Sequence, residues 1–207
     1  MNLLEQLLLN NQIYKDNFRQ NKLFKIVKEN KLNNNVQKEI FLNYFQIWSN
    51  EFQKIVLARV VFSEEQNYSK LAWHHLEEEF GHNLQLLNSR KDYVLVEDPI
   101  FEALASWFIM KMLTLGDSGR TVLIHLVIES CATIFYEYLV PVFSNSNKAE
   151  KHFNTHCELD PKHEQIGIDL LRKMNITDSS LLAVQKKGWI MIETLFARLA
   201  ENCLVEA

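Results

Sequence analysis

Apolar residues recur at three- and four-residue spacing along nearly the whole chain of 207 residues, and strict alternation is rare. That period buries one face of a helix per turn and cannot serve a strand. With 5 Gly and 3 Pro there is little punctuation to support a strand-and-turn architecture, and a hydrophobic content of 47% is ample for a core. The spacing predicts helices over 2–18, 20–30, 34–62, 66–90, 99–116, 120–140, 147–173 and 178–204. Pro99 follows Asp98 at the favoured first helical position. The Gly-Asp-Ser-Gly run at 116–119 reads as a turn, and Pro141 as the stop of the apolar helix before it. The expected fold is an all-α bundle of seven to eight helices, in one domain spanning 1–207.

Composition removes several classes of function. A net charge of −4 without a basic stripe argues against nucleic acid. No uninterrupted apolar run approaches the roughly 20 residues of a membrane span, and the N-terminus lacks a basic region and a small-residue cleavage site. Cys131, Cys157 and Cys203 form neither a disulfide framework nor a CxxC pattern. A reducing, cytoplasmic setting with no membrane association is the expectation.

The segment 156–167, His-Cys-Glu-Leu-Asp-Pro-Lys-His-Glu-Gln-Ile-Gly, carries the chemistry. His156, Asp160 and His163 stand at i, i+4 and i+7, offsets that fall within roughly 60° of one another on a helix. Two imidazoles and a carboxylate on one face make a facial ligand set with open positions, of the kind that suits non-haem iron. Pro161 removes the hydrogen bond to the Cys157 carbonyl, so the chain is expected either to kink beside Asp160 or to start a fresh helix capped by it.

A bundle supplies further ligands from facing helices. In 66–90, Glu78 and Glu79 lie four and three residues before His82, so either shares a face with it, and His75 falls on that face as well. Glu129 sits among Leu126, Val127, Ile128 and Ala132 and must point inward, where a carboxylate is costly unless paired, protonated or bound to metal. Glu78 (or Glu79), His82, Glu129, His156, Asp160 and His163 together suit two metal ions. Their oxygen and nitrogen donors favour iron or manganese over structural zinc. His74, His75 and His152 read as surface or supporting residues, and His125 as a core histidine one turn before Glu129.

The His-x-x-x-Asp-x-x-His-x-x-x-Gly segment, Glu-Glu-Phe-Gly-His at 78–82 and the lone glutamate of the next apolar helix resemble the haem-oxygenase-like superfamily. More narrowly, they resemble its iron-containing redox branch, the di-metal oxidases, which includes the Chlamydia protein associating with death domains. Where some members of the branch carry a histidine seven residues after the first glutamate, Gln85 stands here. Where the Chlamydia-type members have an N-terminal tyrosine, Phe24 stands here. The resemblance implies a haem-oxygenase-like bundle and a non-haem di-iron (or Fe/Mn) enzyme holding two irons per chain. Such an enzyme activates dioxygen to oxidise a small organic substrate, with Glu129 and Glu78 as the carboxylates that take part in the chemistry. Members often pair as homodimers. Two rivals stand beside this reading. One is a metal-independent hydrolase of the TenA type with Cys131 as nucleophile. The other is a helical effector that binds a protein partner.

Overall fold

The computed structural model describes residues 1–90, 94–144 and 149–204. The eight expected helices are present and one is broken in two, giving α1 (Leu3–Phe18), α2 (Lys22–Lys28), α3 (Asn35–Phe62), α4 (Gln66–Glu79), α5 (His82–Asn88), α6 (Pro99–Thr114), α7 (Asp117–Phe143), α8 (Glu150–Lys173) and α9 (Ser180–Leu204). No strand occurs among the described residues. Local chemistry sets many of the ends. Asn2 and Glu5 form a reciprocal capping box on α1, and the Asp98 carboxylate accepts from the Ile100 and Phe101 N–H groups with Pro99 opening α6.

The break lies between α4 and α5. Phe80 leaves the helix in an extended conformation and Gly81 adopts φ +86°, a region that is costly for any residue with a Cβ. The Gln53 side chain accepts the Gly81 N–H at 2.7 Å and fixes the corner to α3.

Three other boundaries differ from expectation. Residues 117–119 already belong to α7, with Gly116 as its N-cap. Pro141 lies inside the last turn of α7, close enough to the end that few main-chain bonds are lost. α8 runs unbroken through Pro161, so Asp160 does not cap a fresh helix. The expected start of α8 at 147 lies outside the described residues.

α7 is the centre of the bundle. It is long and apolar enough to match a membrane span by composition, yet most of its apolar window is buried against the other helices. Its middle, Ile124–Glu129, is wound as a π turn inside the α-helix. The half beyond the π turn packs into an aromatic core in which Phe135 lies 4.9 Å from Phe45 and 5.0 Å from Phe196, ring centre to ring centre. α1 is fastened across α7 and α9 by the buried Asn11, whose Nδ2 donates to Ser130 Oγ at 2.8 Å and whose Oδ1 accepts from Trp189 Nε1 at 2.9 Å.

Candidate metal centre

Four helices send polar side chains to one point beside the aromatic core. α4 supplies His75 and Glu79, one turn apart on its inward face, and α5 supplies His82 from its first residue. α7 supplies Glu129 from the end of the π turn, and α8 supplies His156, Asp160 and His163 along a single stripe. All but His82 are buried. The α8 stripe forms because the helix stays regular through Pro161, whose ring faces solvent.

Three groups of donor atoms lie close enough to share an ion: His75, Glu79 and His163; Glu79, His82 and His156; and Glu129, Asp160 and His163. Within each group the atoms are within 4.8 Å of one another. Glu79 and His163 each belong to two groups and so link the set. The Glu79 carboxylate lies 3.1 Å from His82 Nδ1, 3.3 Å from His163 Nδ1 and 3.9 Å from His156 Nε2. Glu129 lies 3.0 Å from His75 Nε2 and 3.4 Å from His163 Nδ1.

Closeness is not matched by hydrogen bonding. His75 Nδ1 and Nε2, Glu79 Oε1, Glu129 Oε1, Asp160 Oδ2 and His163 Nδ1 are all buried without an aligned partner among the described residues. Buried polar atoms normally find partners, and lone pairs converging on a shared space are what a cation would satisfy. The donor set therefore fits metal ions: carboxylates and imidazoles only, no thiolate, and three groups that overlap at Glu79 and His163.

The electrostatics without a metal show the same strain. Burial alone would raise the Glu129 carboxyl, but the close approach of the His163 and His75 rings outweighs it and holds Glu129 well below the usual carboxylate range. Burial would also raise Glu79, and the bond to His82 together with the charge of His156 reverses this. Asp160 takes the opposite direction: burial, with Glu129 and Glu79 nearby, pushes it well above its ordinary value. Burial would lower His163, yet contact with Glu129 and the field of Glu79 raise it to about 9. The pocket thus holds protons at Asp160 and His163 that a metal would displace.

Outer partners orient this ring. Glu78, at the half-exposed rim, lies 3.0 Å from His163 Nε2, which leaves Nδ1 turned toward the cluster. His125 is fully buried and uses both ring nitrogens elsewhere, on Arg59 and on the His163 carbonyl. His152 is buried too, with Nε2 at 3.2 Å from the Tyr136 hydroxyl, and the Tyr136 ring stacks on His156 at 5.0 Å.

A cavity of about 40 Å³ opens beside Glu79, His82, Glu129 and His156, room for about three water molecules. Its walls are mainly aromatic, from Phe45, Trp48, Phe52, Phe135 and Phe196, and Ser49, Gln53, Asn83, Tyr136 and His152 add polar groups outside the ring. Cys131 lines it as well, but burial and then the neighbouring carboxylates push its thiol well up, the wrong direction for a nucleophilic thiolate.

Of the residues singled out from the sequence, the structure gathers His82, Glu129, His156, Asp160 and His163. It does not place Glu78 in the ring: the neighbouring Glu79 points inward and Glu78 stands behind His163. His75, read from the sequence as a surface or supporting residue, faces Glu129 in the interior, and its position seven residues before His82 was the available signal. His152 is interior rather than surface, because α8 presents it one turn before His156. Arg59 carried no signal in the sequence.

No family model matches the chain. The Rickettsia prowazekii (strain Madrid E) protein RP592, itself uncharacterized, is 58% identical over 201 residues, which cover 97% of this chain and 96% of that one. Among solved structures, a domain of unknown function with a heme oxygenase-like fold from Shewanella denitrificans OS217 matches with a TM-score of 0.70. It is 17% identical, over 96% of this chain and 92% of its own. The all-α architecture is therefore haem-oxygenase-like.

Proposed function

We propose that this chain, which belongs to the family of the Rickettsia prowazekii protein RP592, is a non-haem di-metal oxidase or oxygenase that uses dioxygen to oxidise a small organic substrate. The observation that carries this reading is the ring of buried carboxylates and imidazoles with unpartnered atoms facing one another. Glu79, His82 and His156 would hold one ion, and Glu129, Asp160 and His163 the other, with Glu79 within reach of both groups and His75 beside the second. The absence of thiolate donors favours iron or manganese. When bound, such a pair supplies the electrons and open coordination positions that dioxygen activation requires.

The chain's own residues do the rest. Glu78 holds His163 in the orientation that turns Nδ1 inward. Asp160 and His163 surrender protons as ions enter. The walls of Phe45, Trp48, Phe52, Phe135 and Phe196 exclude water and favour an apolar substrate body, while Ser49, Gln53 and Asn83 offer it hydrogen bonds. Burial of Cys131 opposes the metal-independent hydrolase.

The test is metal content after anaerobic loading with ferrous iron, followed by absorbance on mixing with oxygen. About two irons per chain and a transient visible band are expected. A folded protein that takes up no iron overturns the reading.

A further inference from the structure

Behind His163 lies a second arrangement that the donor ring does not use. The Arg59 guanidinium is buried (1% exposed) inside the bundle, and its hydrogen bonds go to an imidazole and a hydroxyl rather than to a carboxylate. NH1 donates to His125 Nε2 at 2.8 Å and NH2 to Thr121 Oγ1 at 3.4 Å. A guanidinium has only donors, so His125 Nε2 must accept and the ring proton must sit on Nδ1. That nitrogen donates to the His163 main-chain carbonyl at 2.6 Å.

The ring reaches this carbonyl because α7 and α8 touch at Gly167. A Cβ on Gly167 would stand 2.2 Å from both Cβ and Cγ of His125, which no side-chain rotation relieves. In a regular helix the His163 carbonyl already accepts the Gly167 N–H. The imidazole thus takes the remaining lone pair of a carbonyl whose own residue carries the Nδ1 donor. His125 also lies on the π turn that ends at Glu129, so the same contact ties two donors from different helices together.

We propose that Arg59 and His125 are positioning residues: together they clamp the His163 main chain in the Gly167 notch and so set the distance between His163 and Glu129. This rests on the di-metal reading above. The clamp has a fixed order of protons, with Arg59 dictating the tautomer and the tautomer dictating the grip.

The experiment compares the wild type with Arg59→Met/His125→Phe, a pair that removes both polar partners at similar volume and so leaves neither unpaired. Arg59→Lys, which retains a donor, serves as the rescue. Nitrogen NMR of the histidine rings in the metal-free wild type should show His125 as the Nδ1–H tautomer. Titration with Co(II) should show two equivalents bound by the wild type and by Arg59→Lys. In the double variant, one of the two should bind about 10- to 100-fold more weakly with a shifted visible spectrum. Thermal unfolding checks that the double variant stays folded. If it does not, Arg59→Met with His125 intact, which frees the tautomer without stranding a buried charge, is read by the same Co(II) spectrum. An Nε2–H tautomer overturns the clamp, as does an unchanged Co(II) affinity and spectrum in a folded variant. A wild type that binds no Co(II) while His125 remains locked overturns the di-metal reading and the positioning role with it. That result is told apart from failure of the clamp alone by the wild type's own Co(II) uptake, which failure of the clamp leaves in place.

Discussion

Glu129 and Ser130 are neighbours on α7 and belong to two buried polar clusters of opposite character. Ser130 accepts from Asn11, Asn11 accepts from Trp189 and Gln185, and Trp189 also reaches the Leu126 carbonyl. Only Gln185 Oε1 is left over there. Glu129 opens onto a ring in which five of the seven residues keep an unpartnered atom. Both clusters are buried and both join three or more helices. The difference lies in whether donors and acceptors are complementary. The Asn11 cluster pairs amide, hydroxyl and indole and is complete but for one Gln185 oxygen, so it holds helices together. The Glu129 ring sets carboxylates and imidazoles close together but out of hydrogen-bond alignment, an arrangement that cations would complete. Burial of polar groups does not separate structure from function, but satisfaction of them does.

That contrast is open to direct tests. The largest effect is expected from Glu79→Gln, which should abolish binding of a pair of ions while the fold, followed by far-UV circular dichroism, is retained. Asn11→Ala should do the reverse, costing about 2 kcal/mol in urea denaturation with metal stoichiometry unchanged. If Asn11→Ala removed the metal instead, the division between the clusters would fail.

pH sharpens it next. His163 has its folded value raised to about 9, so its contribution to the metal-free protein is complete below about 6.5 and is lost as pH rises through about 9. Metal affinity should run the other way, climbing over the same interval as the proton to be displaced leaves. Urea denaturation and Co(II) titration at pH 6.5, 8 and 9 should give opposite trends, and parallel trends would remove His163 from the ring.

Asp160 offers a smaller and more pointed effect. Its folded value is raised, so it favours the metal-free fold only at low pH and costs stability as pH rises. Asp160→Asn should stabilise the metal-free protein by about 1 kcal/mol at neutral pH, a gain that widens with pH, while weakening metal binding. Calorimetry with and without Co(II) reads both. The smallest change belongs to Glu78→Gln: about a tenfold loss of metal affinity, as for an outer partner, with two ions still bound.

Much of this arrangement was legible in the chain. The spacing of His156, Asp160 and His163 sufficed because all three ride one helix, where offset alone fixes direction. The lone Glu129 in an apolar stretch was legible because charge there needs a reason. Glu78 and Glu79 were not separable, since adjacent residues differ by about 100° and only the packing of α4 against α8 chooses between them. His75 was obscured by its charged surroundings. Arg59 lies in an ordinary amphipathic stretch of α3, where a basic residue would be read as solvated. The break at Gly81 turns one expected helix into two, since a lone glycine is compatible with either outcome. The π turn leaves no compositional trace at all.

That turn has a consequence for descent. A π turn amounts to one residue more than the α-helix around it requires, so a single deletion between 124 and 129 would restore the regular winding. The wider turn absorbs that residue, so the helix on either side would keep nearly its present facing and only the side chains of the turn itself would be re-aimed. His125, which Arg59 grips, and Glu129 both lie on the turn, and the aromatic half of α7 lies beyond it. A lineage with this fold could therefore lose the extra residue and keep both halves in place, so the aromatic core can be inherited while the donor ring at the turn is gained or lost.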